Sequence, residues 1–120
     1  MQNEAESAMS DLIREIKRLD NAVIVVAQGD VTLAESPDFH QELVDLCESA
    51  RGRFVIDLSN VAYMDSSGVG SLVDIYRRVR TQGGKMALVG LTDAVRSLFE
   101  ITKLDSFFSI YNTQQEALES

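Results

Sequence analysis

The 120-residue chain carries 19 acidic against 11 basic residues, a net charge of −8. That balance disfavours nucleic acid, whose affinity for protein comes largely from cations meeting phosphates. One cysteine and one histidine exclude an intrachain disulfide and are too few for a structural zinc site.

No apolar run approaches the ~20 residues that cross a bilayer. The opening MQNEAESAMS lacks the basic-then-apolar order of a secretory signal. A cytoplasmic protein of one domain over 12–120 is expected, behind a flexible lead-in over 1–11.

Residues 12–19, LIREIKRL, are ambiguous. Leu12, Ile13, Ile16 and Leu19 fall at helical spacing, yet Asp20-Asn21 is a turn signal leading into the β-branched run AVIVVAQG over 22–29, so a hairpin is the alternative. Gly29 is expected to break that strand. Ser36 then Pro37 reads as an N-cap with proline in first place. It opens a helix over about 36–50 whose apolar face is Phe39, Leu43, Leu46, Cys47 and Ala50. His40 is expected to be exposed on that helix.

RFVIDL over 53–58 reads as a second strand. Beyond Gly68, the residues Val69, Leu72, Val73, Tyr76 and Val79 keep a helical face, with Arg77, Arg78 and Arg80 mostly on the solvated side. Gly83-Gly84 ends that helix, and KMALVG over 85–90 is a third strand. Thr92 is placed to cap a further helix, FFSIY over 107–111 is a last strand, and Thr113 with Glu116 has capping-box spacing. Strands alternating with helices of this length imply βαβ units. The class is α/β, with a mixed, mostly parallel sheet and about four helices.

Between strand and helix stands MDSSGVG, residues 64–70. Function in open α/β sheets gathers beyond the carboxyl ends of the strands. The first amides of a helix lack internal partners and favour negative charge, so this position suits a cap, which local chemistry alone favours, and can also receive a phosphate. On local chemistry alone, Ser66 and Ser67 are both candidate phosphoacceptors, and both are candidate caps. A serine hydrolase would need a paired base, and neither a G-x-S-x-G elbow nor a nucleotide P-loop is present. No enzymatic activity, cofactor or metal is expected.

The stretch VIDLSNVAYMDSSGVGSL, and the order of elements continuing to about residue 118, closely resembles the STAS domain of bacterial anti-sigma factor antagonists. The resemblance implies a mixed sheet beginning with a hairpin strand, which reads residues 12–18 as strand. It also implies partner switching. The unphosphorylated protein would bind an anti-sigma factor that is also a serine kinase, freeing sigma factor. Phosphorylation of Ser66, directly after the motif's aspartate, would release it, and a serine phosphatase would reset it. Asp30, Thr32, Asp65, Ser67, Gly68 and Val69 would form the partner-binding surface of a chain that is monomeric when free. One departure is Thr32, which stands where the family commonly has aspartate, and the resemblance leaves its effect on phosphorylation open.

The competing reading is a phosphorylation-independent STAS scaffold or transporter-accessory adaptor, with both serines serving only as caps. A receiver domain phosphorylated on Asp57 would need an acidic pair after its first strand and a late Lys-Pro. Asp30 stands alone, and the only proline is Pro37.

Overall fold

The computed structural model describes residues 11–50 and 52–120, so all but Asp11 of the lead-in expected over 1–11 lies outside the described residues. In chain order the elements are β1 (Ile13–Leu19), β2 (Ala22–Val31), α1 (Ser36–Ser49), β3 (Arg53–Met64), α2 (Ser66–Thr81), β4 (Lys85–Val89), α3 (Asp93–Ile101), β5 (Ser109–Tyr111) and α4 (Gln114–Glu119). The sheet order is β1-β2-β3-β4-β5. β1 runs antiparallel to β2, and every other neighbouring pair is parallel.

The hairpin settles residues 13–19 as strand, with Leu12 in the turn before it, and it also explains their helical spacing. Ile13 pairs with Ala27 while Glu15 pairs with Val26, so β1 spends one extra residue between them. That is a β-bulge. It brings Ile13 and Ile16, which an unbroken strand would point to opposite faces, onto the same buried side. β3 shows the same device. It was expected to end at Leu58, where apolar continuity stops, but it continues to Met64. Its register against β2 slips twice, between Val26 and Gln28 and between Gly29 and Asp30. Leu58, Val61 and Met64, three apart, therefore all stay buried.

Gly29 does not break β2. It takes a φ of 85° within the strand, which runs on to Val31. β4 and β5 are shorter than expected, ending at Val89 and starting at Ser109.

Alternation divides the core. Val23, Val25 and Ala27 of β2, Phe54, Ile56 and Leu58 of β3, and Met86 and Leu88 of β4 join one buried cluster with Phe39, Leu43 and Cys47 of α1, Leu72, Ile75 and Val79 of α2, and Val95 and Phe99 of α3. Each such fully buried large side chain contributes about 1.5–3 kcal/mol before entropy is counted. On the opposite face Ile24, Val26, Val55, Ala87 and Val89 meet Ala117 of α4. The short α4 is held by polar contacts as well. Gln114 donates to the buried Asp57 at 2.6 Å, and Lys17 donates to Gln114 at 3.0 Å. Its capping box is complete, with Glu116 N donating to Thr113 Oγ1 and Thr113 N to the Glu116 carboxylate.

Several helix details differ from expectation. Glu35, not Ser36, is the N-cap of α1, because the amides of Glu35 and Ser36 both turn back to Thr32 O, and Ser36 is buried as the first helical residue. Thr92 holds the N-cap position of α3, but its hydroxyl donates to Val61 O at 2.9 Å and ties that helix to β3. Ile75, absent from the expected face of α2, is buried there. His40 is not free on α1. It lies 2.6 Å from Asp74 Oδ2, which also accepts from Arg78 Nε at 2.8 Å, so α1 and α2 are clasped by a charged cluster.

At the amino ends of the parallel strands the backbone approaches itself closely. Arg53 N donates to Asn21 O and Lys85 N to Gly52 O. Gly52 has a φ of 83°, and a Cβ there would stand 2.5 Å from Asn21 O. Both the left-handed backbone and the close carbonyl exclude a side chain. Gly52→Ala is therefore expected to cost about 2 kcal/mol or more, read as a lowered urea midpoint with an unchanged m-value.

Candidate functional site

Residues Asp65-Ser66-Ser67-Gly68 sit where β3 ends and α2 begins, beside the end of β2. The register pairs Val31 with Met64, and Asp65 N donates to Val31 O at 3.1 Å. The two β-strand exits are thus held side by side, and this brings Asp30 and Thr32 to the same rim as Asp65 and Ser66.

Asp65 is the N-cap of α2. Its Oδ1 accepts from Ser67 N at 2.9 Å, Ser67 Oγ at 2.5 Å and Gly68 N at 3.4 Å. Its Oδ2 accepts from Leu33 N at 3.0 Å, in the loop after β2. One carboxylate therefore caps the helix and fastens the neighbouring loop to it. The Ser67 hydroxyl, followed by the amides of Ser67, Leu33 and Gly68, holds the Asp65 carboxyl below its ordinary value against the opposing effect of desolvation.

The two serines separate. Ser67 is partly buried, its hydroxyl is spent on Asp65, and its carbonyl accepts from Ser71 Oγ. Ser66 is exposed, and its hydroxyl has no hydrogen-bond partner among the described residues. The amides of Ser67 and Gly68, which the sequence left open to a phosphate, are occupied by Asp65 instead.

Gly68 is needed for packing and not for an unusual φ. A Cβ there would lie 2.6 Å from Met64 Cγ and 2.9 Å from Val31 Cγ1, so the helix start rests directly on the ends of both strands. Val69 is buried beneath the rim. Asp30 is exposed, and Thr32 is partly exposed with its hydroxyl donating to the Glu35 carboxylate.

Two further residues of this rim went unnoticed in the sequence. Leu33 is 71% exposed and Tyr63 49% exposed; the Leu33 amide bonds to Asp65, and Tyr63 precedes it by two residues. The signal for Leu33 was a lone leucine in the polar loop DVTLAESP. Alongside lies an open acidic recess lined by Asp11, Asp30, Glu35 and Asp38 with Leu12 and Ala34. Asp57, weighed as a phosphoacceptor in the receiver reading, is buried and engaged by Ser59 and Gln114.

A family model described as the STAS domain matches residues 14–117. The chain belongs to the STAS domain family. Among STAS relatives, it is 32% identical over 96 residues to the anti-sigma-B factor antagonist of Bacillus subtilis, covering 80% of this chain and 87% of that one. It is 33% identical over 104 residues to the anti-sigma-B factor antagonist of Listeria monocytogenes, covering 85% and 90%. An anti-sigma factor antagonist from Mycobacterium paratuberculosis superposes with a TM-score of 0.80 at 25% identity, over 92% of this chain and 96% of that one. No helix among the described residues of this STAS domain is long and apolar enough to cross a membrane.

The lowered Asp65 pKa has a defined sign. A carboxylate whose folded pKa lies below its unfolded value of about 3.9 stabilises the fold above that value. Its contribution is lost as pH falls through the folded pKa. Asp65→Ala is expected to lower the urea midpoint at pH 7, and the gap between variant and parent should narrow steadily below about pH 4.

Proposed function

We propose that this protein is an anti-sigma factor antagonist that works by partner switching, with Ser66 as the switch. Unphosphorylated, it binds an anti-sigma factor that is also a serine kinase and so frees sigma factor. Phosphorylated on Ser66, it lets go, and a serine phosphatase restores it. The observation that carries this reading is the contrast between the serines: Ser67 is locked to Asp65, while the Ser66 hydroxyl is exposed and has no partner among the described residues. The relatives' role as anti-sigma factor antagonists supports the choice of partner.

The physics of release is local. A phosphoserine adds about −1.5 to −2 charges. With the nearest helix amides already accepted by Asp65, and with Asp65 itself anionic, the new charge is not absorbed inside the domain. It stays on the surface the partner must cover. Leu33 and Tyr63 supply apolar contact on that surface, Asp30, Thr32, Asp65 and Ser67 its polar rim, and Gly68 and Val69 support it from beneath. The protein contributes binding and no catalysis of its own. It acts in the cytoplasm and is monomeric until it meets its partner.

The test pairs the protein with the kinase-type anti-sigma factor encoded in the same genome. Ser66→Ala is expected to bind with parental affinity and to take no phosphate when incubated with ATP, read by mass mapping. Ser66→Asp is expected to bind at least tenfold more weakly by calorimetry. Phosphate mapped elsewhere, together with unaltered binding of Ser66→Asp, would replace the switch by the scaffold reading.

A further inference from the structure

We propose that the end of the domain opposite Ser66 holds a binding site for a small organic polyanion, a phosphomonoester or a polycarboxylate. An open cleft of about 440 Å³ lies there, lined by Arg53, Arg80, Lys85, Tyr76, Tyr111 and Ser109 among others. That volume falls in the range of small-molecule sites. The chain as a whole has 19 acidic residues against 11 basic ones, yet among the described residues this cleft gathers three cations and no aspartate or glutamate.

The backbone places these cations together at a cost. Arg53 and Lys85 open the adjacent parallel strands β3 and β4 and are register partners, so they share one face of the sheet. Like charges set directly opposite one another destabilise a sheet. No carboxylate side chain among the described residues pairs with Arg53, Arg80 or Lys85. Arg80 instead donates to Tyr76 Oη at 2.7 Å and lies 5.6 Å from the centre of that ring. Arg53 donates to the hydroxyl and carbonyl oxygens of Ser120. Each guanidinium has five N–H donors, so both retain donors for a ligand.

The cleft exists because β5 is short. It begins opposite Ala87 and leaves the first two residues of β4, Lys85 and Met86, without a strand on that side. A multivalent anion placed there would neutralise the Arg53–Lys85 opposition and accept from Arg80, with the tyrosine and Ser109 hydroxyls within the same lining. A single carboxylate would leave most of the charge unmatched.

The site is separate from the Ser66 rim. Ser66 opens α2, and Arg80 lies in its last turn, about 20 Å away at 1.5 Å per residue.

The experiment is a ¹⁵N NMR titration of the whole chain with citrate and, in a second arm, with glycerol 3-phosphate, each at low ionic strength, with glycerol as the neutral control. Saturable shifts confined to the amides around Lys85, Met86, Ser109 and Tyr111 are expected in at least one arm, and the responding arm names the ligand class. The double variant Arg80→Gln/Lys85→Gln, both exposed positions, should keep the parental spectrum elsewhere and bind at least tenfold more weakly. Ser66→Asp should titrate like the parent, which separates this site from the switch. Non-saturating shifts, shifts spread over all surface cations, or equal binding by the double variant would overturn the proposal.

Discussion

The carboxylate of Asp65 is the constraint on which the candidate functional end of this domain depends. It takes three donors from the first turn of α2 and one from the loop after β2. Without it, the helix amides of Ser67 and Gly68 would need other acceptors, and Leu33 would lose its hydrogen bond to the helix cap. The same anchoring decides which serine is available. Because Ser67 sits two residues after the cap, its hydroxyl reaches back to the carboxylate, as N-terminal capping geometry favours. Ser66 sits at the first helical position, where its side chain turns outward.

That arrangement requires the two strands to end at matching heights, and Gly68 and the bulges of β3 secure this. The two register slips against β2 let a twelve-residue β3 pair with a ten-residue β2 and still bring Met64 level with Val31. Gly68 then allows α2 to start directly on those two side chains. An alanine at this position would push the helix away from Met64 and Val31 and carry Asp65 with it. The candidate site is thus built from backbone irregularities at the carboxyl ends of two interior strands, and bulges commonly lie next to functional sites.

The α/β class, the order of the elements after β1, the α4 capping box and most of the apolar faces of α1 and α2 were legible in the sequence, because each rests on local periodicity or on a capping pattern. Where the sequence misled, the cause was a bulge or a non-local acceptor. Ile13 and Ile16 imitate a helix because an inserted residue changes the parity of β1. β3 was cut at Leu58 because Val61 and Met64 follow at intervals of three. Thr92 was expected to cap through its side chain, but Val61 O from a distant strand claimed the hydroxyl. His40 looked solvent-facing because Asp74 is 34 residues away.

The candidate site was legible for a different reason. MDSSGVG is contiguous, so the residues that form the cap are neighbours in the chain, and the resemblance to anti-sigma factor antagonists singled out Ser66 before any geometry was known. What the chain could not express locally is the contribution of the β2–α1 loop. Leu33 is brought to Asp65 across 32 positions, and Tyr63 is turned outward by the slip between Gly29 and Asp30. Both expose apolar surface near the Asp65 cap, and in the proposed switch this gives a single added charge its leverage. A phosphate that must be desolvated against apolar contacts is far more costly than one left in water. The proposed switch therefore needs no rearrangement of the fold. On that proposal, the Asp65 cap, a Ser66 hydroxyl without a partner among the described residues and exposed apolar neighbours are what let one modification oppose binding.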